Sequence, residues 1–194
     1  KKLNMIVKKM PILQGFPDFE TVKFFTGKSF QKYNFSPVFY DIETTGLSRK
    51  STLLYLIGAV GIEDKTWYFH QWMAESDKEE ETILRIFSQF LKQYDLLISY
   101  NGERFDQPYL EARYEKYGLP SPFSGKISLD LFLTLKPLKT LLKLPAMKQP
   151  CLEEFLGIKN RIYDNGKECI QLYRDFLKKR DAVMAEEILG HNLE

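Results

Sequence analysis

A chain of 194 residues, 44% hydrophobic and 28% charged, with 15 Phe and 11 Tyr, has the make-up of one globular domain with a sizeable core. That composition excludes a disordered or fibrous protein, while a formal charge of +2 is too mild either to announce or to exclude nucleic acid as a partner. Only Cys151 and Cys169 occur, in no CxxC spacing, so neither a disulfide framework nor a zinc motif is expected, and a reducing, cytoplasmic setting fits.

Residues 1–36 are the least legible. The start, KKLNMIVKKM, has lysines but no apolar segment or cleavage site behind them and does not read as a signal peptide. VKFF-TG-KSFQ suggests a hairpin through Thr26 and Gly27. These residues are taken as an N-terminal extension of a single domain over 1–194. The absence of Met at position 1 and the end at HNLE lead to the expectation of a segment with its C-terminal end truncated.

VFYDI, from Val38, is a short apolar and aromatic run followed by the breakers TTG, which predicts a buried strand ending at a turn. LLYLIGAVGIE and TWYFHQW flank the polar residues Glu63, Asp64 and Lys65 and predict an antiparallel hairpin. The first of these runs is about half the roughly 20 residues of a membrane-spanning helix, so no membrane partner is expected. Ser76 with Glu79 has the form of a capping box, and Ile83, Phe87, Phe90, Leu91 and Tyr94 then recur at helical spacing, predicting a helix over Asp77 to Gln93. DLLISY reads as a fourth strand, and a helix from Asp106 should end at Gly118. KISLD reads as a fifth, and the remainder is helical, broken by Pro137, Pro145, Pro150, Gly157 and Gly166. Early strands followed by alternation imply a mixed α/β sheet with helices on its faces.

Side chains at i and i+2 of a strand share a face, so Asp41 and Glu43 project together. Two such charges about 5 Å apart repel by roughly 3 kcal/mol at an effective dielectric near 20. A divalent cation relieves that repulsion, and an all-oxygen set favours Mg²⁺ or Mn²⁺. A solvated strand end is the plain alternative. A calcium loop does not fit, because its twelfth position is Thr52. Asp106 stands where the fourth strand ends, either converging on the same site or capping its helix, which has Pro108 in its first turn. In the last helix, starting near Asp181, Met184, Ile188 and His191 share a face, so His191 is either a site residue or a packing residue, and Gly190 allows the helix to end there. Lys136, Lys139 and Lys143 fall on one helical face, as a solvated surface or a phosphate track, and Arg113 and Lys116 stand similarly near Asp106. Asp130 is either a polar group of the site or a cap.

The ordered set DIETTGL, NGERFD and HN resembles the DEDD superfamily of RNase H-like 3′-to-5′ exonucleases. The segment SLDLFLTLKPLKTLLKLPAMKQPCLEEFLGI with IQLYRDFLKKRDAVMAEEILGHN is similar, more particularly, to the bacterial YprB-like RNase H-like family. The resemblance covers Val38 to Glu194 and implies an RNase H-like mixed five-stranded sheet with one antiparallel strand and helices on both faces. It implies Asp41, Glu43 and Asp106 as ligands of two Mg²⁺ or Mn²⁺ ions, His191 as the residue that orients or deprotonates the attacking water, and a final carboxylate just past Glu194. An imidazole, with an ordinary pKa of about 6.5, suits that task near neutrality. Also implied are contacts of Thr44, Leu47 and Asn101 with a single-stranded DNA or RNA 3′ end. The competing expectations are a catalytically silent RNase H-like module that binds nucleic acid or protein, and a metal-dependent endonuclease of the same fold.

Overall fold

VFYDI lies inside a six-stranded sheet in the computed structural model, which describes residues 4–9, 35–64, 66–158 and 166–193. The strands are β1 (Asn4–Lys9), β2 (Pro37–Thr44), β3 (Leu54–Glu63), β4 (Thr66–Met73), β5 (Leu96–Ser99) and β6 (Ile127–Asp130). Their order across the sheet is β1-β4-β3-β2-β5-β6. β2 pairs antiparallel with β3 and parallel with β5, which pairs parallel with β6; β4 is antiparallel to both β3 and β1. The mixed α/β sheet is as expected, but the five strands with one antiparallel become, among the described residues, six with two. The additional strand, β1, lies in the N-terminal extension, where the short run MIV between Asn4 and Lys8 gives little signal; among the described residues it pairs with β4 alone, at the edge of the sheet. The hairpin expected around Thr26 and Gly27 lies outside the described residues.

The helices are α1 (Glu80–Leu91), α2 (Asp106–Lys116), α3 (Leu131–Leu135), α4 (Gln149–Phe155), α5 (Gly166–Lys179) and α6 (Ala182–Leu193). They cover both faces. On one face Val38, Tyr40 and Ile42 of β2 pack with Ile83, Leu84 and Phe87 of α1 and Tyr109 and Leu110 of α2. On the other, Tyr55, Leu56 and Met73 pack with Tyr173 and Phe176 of α5 and Ile188 and Leu189 of α6. Full burial of each such side chain is worth about 1.5–3 kcal/mol, so tertiary packing, not propensity, holds these short helices. Opposite faces receive alternate β2 residues, and the odd-numbered ones, Asp41 and Glu43, therefore look toward α6.

Four local expectations change. Ser76 makes no side-chain cap; residues 77–79 form a 3₁₀ turn, and Glu79 instead accepts the N–H of Glu75 at 2.7 Å. The helix carrying His191 does not stop at Gly190 but runs through Leu193, its start capped by Asp181 accepting from Val183 N–H at 2.9 Å. Lys136, Lys139 and Lys143 do not share a helical face, because α3 ends at Leu135, a 3₁₀ turn holding Pro137 follows, and Lys143 has φ of 53°. Arg113 is not a surface cation: it is 2% exposed and forks onto Glu80, itself fully buried, at 2.7 and 2.5 Å. α2 does end at Gly118 as expected, with Leu119 N–H returning to the Tyr114 carbonyl at 2.9 Å.

Candidate active site

β2 and β5 pair from Pro37 to Phe39, and among the described residues no strand pairs with β2 on that side beyond Phe39. Asp106, the first residue of α2, fills the gap: its Oδ1 accepts Ile42 N–H at 3.2 Å. It is not the helix cap, since that position is Phe105. Asp106 is 5% exposed, and burial, followed by the charge of Asp41, pushes its carboxyl well above the ordinary carboxylate range, although backbone N–H groups at Asp106 and Ile42 oppose this. Like charges thus face one another across the end of β2.

α6 closes the other side. His191 Nε2 stands 3.7 Å from Glu43 Oε1, and Asn192 Nδ2 donates to Asp41 Oδ2 at 3.2 Å. Asn192 is itself held by Gln71 of β4, whose Nε2 donates to Asn192 Oδ1 at 3.1 Å and to the Leu189 carbonyl at 2.8 Å. This approach depends on Gly58, which pairs with Asp41 in the β2–β3 register: a Cβ there would run into Asn192 Oδ1, with Cγ at 2.9 Å. A β-bulge opposite Glu43 and Thr44 turns both Tyr55 and Leu56 toward α5 and α6.

The loop entering α2 is fixed from beneath. Asp130 accepts from Asn101 and Glu103 N–H at 2.9 and 3.1 Å while also capping α3 through Phe132 and Leu133 N–H. Both readings of Asp130 are therefore partly met: it is a cap, and it braces the segment that presents Asp106. Gly102 fits beneath β5 because a Cβ would strike Ser99 Oγ.

The resulting cleft of about 680 Å³ brings together Asp41, Glu43, Asp106, His191, Asn192 and Asn101. Its floor is apolar, formed by Phe39, Val60, Phe69 and Ile98, and α4 forms one wall with Leu152 and Glu153. Thr44 and Leu47 lie apart from it. Thr44, the last residue of β2, is 8% exposed with its hydroxyl donating to the Gly46 carbonyl at 2.9 Å, whereas Leu47 is 83% exposed in the loop that follows. Asn101, at φ of 63°, presents its side chain from the rim.

The facing carboxylates of Asp41 and Asp106 fit a hard dication, which would relieve their mutual repulsion through oxygen ligands. Among the described residues, the metal-capable group whose ligand atoms lie within 4.8 Å of one another is Glu43, Cys169 and His191; Asp41 and Asp106 stand outside it. Sequence reasoning missed Cys169, Asn192, Gln71 and Gly58. Burial pushes the Cys169 thiol up to about 11, with Tyr55 O–H donation at 3.3 Å pulling down and Glu43 pushing up.

Among the described residues no helix is long and apolar enough to cross a membrane. The sequence profile of the RNase H superfamily matches residues 38–194. A DNA polymerase of Methanocaldococcus jannaschii is 43% identical over 42 residues, which are 22% of this chain and 3% of that protein. The family B DNA polymerase of the hyperthermophilic archaeon Pyrobaculum calidifontis superposes with a TM-score of 0.64 at 15% identity, over 86% of this chain and 24% of the polymerase. At that identity the likeness is one of fold, and the chain spans a small part of either polymerase.

Proposed function

The chain belongs to the RNase H superfamily, and from that premise we propose that it is a metal-dependent 3′-to-5′ exonuclease of the DEDD kind and YprB-like type, acting on single-stranded ends. The observation that carries this reading is the opposition of buried Asp106 and exposed Asp41 across the end of β2, with Glu43 and His191 3.7 Å apart beside them. On this reading residues 1–194 form one domain, and Asp41, Glu43 and Asp106 hold the cofactor. When bound, two Mg²⁺ or Mn²⁺ ions supply charge neutralisation for the scissile phosphate and the leaving oxygen.

The chain's own residues do the rest. Asn192 Nδ2 holds Asp41 Oδ2 and the Ile42 N–H holds Asp106 Oδ1, which orients the two carboxylates that line the cleft. His191, in the last turn of α6, accepts the proton of the attacking water. The apolar floor at Phe39 and Phe69 takes the base or sugar, Asn101 hydrogen-bonds at the rim, and the loop after Thr44 sets exposed Leu47 against the terminal base.

Incubating the protein with a single strand and Mn²⁺ tests this. Release of mononucleotides that is lost in Asp41→Asn supports the reading. Release that persists in that variant sinks it, and binding without cleavage by the unaltered chain points to a catalytically silent module instead.

A further inference from the structure

We infer that Glu43, His191 and Cys169 form a binding site for a borderline-soft divalent ion of the Zn²⁺ class, distinct in chemistry from the hard ions proposed for the carboxylates. The three ligand atoms come from β2, the last turn of α6 and the first turn of α5, and lie within 4.8 Å of one another. A tetrahedral ion with bonds of about 2.0–2.3 Å sets its ligand atoms about 3.3–3.8 Å apart. The 3.7 Å between His191 Nε2 and Glu43 Oε1 already meets that spacing. Any wider gap to Sγ closes with a shift of about 1 Å or less.

The surroundings suit a held ligand set better than a chance meeting. α5 and α6 are packed on the same sheet face through Tyr173, Phe176, Ile188 and Leu189, which fixes the helices that carry Cys169 and His191. Tyr55 O–H donates to Cys169 Sγ at 3.3 Å, and the Tyr55 ring is stacked on Tyr173 at 4.0 Å. A fixed donor to a ligating sulfur is the outer-shell partner that orients such ligands. Hard ions do not recruit sulfur, so a site with one nitrogen, one sulfur and one carboxylate selects for Zn²⁺ over Mg²⁺. Glu43 and His191 line the cleft while Cys169 is buried behind them, so the fourth position opens to the cleft. The site shares Glu43 and His191 with the proposed hydrolytic centre but does not rest on hydrolysis: a chain that cleaves nothing would still bind the ion.

Co²⁺ titration of the purified chain, followed by absorption, reads this directly because a thiolate ligand produces a near-ultraviolet charge-transfer band. The band should appear, persist in excess Mg²⁺ and be displaced by Zn²⁺. It should be absent in Cys169→Ser and retained in Cys151→Ser. Should Cys169→Ser fail to fold, Tyr55→Phe keeps the ring stack and removes only the donor, and should weaken Zn²⁺ binding by about 10–100-fold. No charge-transfer band, a band that survives Cys169→Ser, or unchanged Zn²⁺ affinity in Tyr55→Phe would overturn the inference.

Discussion

Arg113 offers the sharpest separation of structure from function. Its guanidinium makes two bonds to Glu80, Nε to Oε1 at 2.7 Å and Nη2 to Oε2 at 2.5 Å, and a third to the Arg49 carbonyl at 3.0 Å. Both partners are out of solvent, at 2% and 0% side-chain exposure. In Arg113→Met the carboxylate keeps Leu54 N–H at 2.8 Å and Tyr117 O–H at 2.7 Å but loses its buried countercharge; Lys116, half exposed at 3.4 Å, does not replace it. Breaking one side of such a pair costs about 3–5 kcal/mol. At about 2–4 °C per kcal/mol for a chain of this size, the melting temperature should fall by about 6–20 °C. Pairing it with Glu80→Met removes the stranded charge and should recover most of that loss. Scanning calorimetry at neutral pH supplies the stability, and single-strand affinity measured well below the transition supplies the function, which should be unchanged. An unaltered melting temperature together with weakened strand binding would refute the structural assignment and restore Arg113 as a phosphate contact.

The same carboxylate sets a pH dependence. Burial alone would raise the Glu80 pKa, but the bonds from Arg113, Tyr117 and Leu54 N–H outweigh it and hold it below the ordinary value. Its contribution is therefore complete above the unfolded carboxyl range of about 4.3 and is lost as pH falls through the lower folded pKa; urea unfolding should find the gap between the natural chain and Glu80→Gln shrinking below that pH. Gly58→Ala should cost about 1–3 kcal/mol by driving Asn192 away, and much less in an Asn192→Ala background, as a double-mutant cycle by urea unfolding would record. Leu47→Ala, at a position 83% exposed, should change stability by less than about 0.5 kcal/mol yet slow nucleotide release, so equal rates would remove Leu47 from the substrate site.

Asp41 and Glu43 were legible because strand alternation and the TTG breaker fix their shared face within a few residues. Asp106 was only half legible, since an Asp at a helix start is as good a cap as a ligand; the deciding fact is the Ile42 N–H that it reaches, 64 residues away and beyond the end of the β2–β5 pairing. Arg113 was misread for a similar reason. A cation on a helix looks solvated until its partner 33 residues earlier is brought against it. The Lys136, Lys139 and Lys143 stripe assumed a continuous helix, which Pro137 and the left-handed Lys143 interrupt. Cys169, Gln71 and Asn192 carry no local signal at all: each acquires a role only when α5 and α6 pack on the sheet face that β2, β3 and β4 share.

The polarity of digestion tests the central claim most directly. A single strand labelled at its 5′ end, incubated with the protein and Mn²⁺, should shorten progressively as a ladder, while the same strand labelled at its 3′ end should release labelled mononucleotide from the outset, and both signals should vanish in Asp106→Asn. Internal fragments at the earliest times, loss of the 5′ label first, or activity that survives in Asp106→Asn would contradict a 3′-to-5′ exonuclease built on these carboxylates.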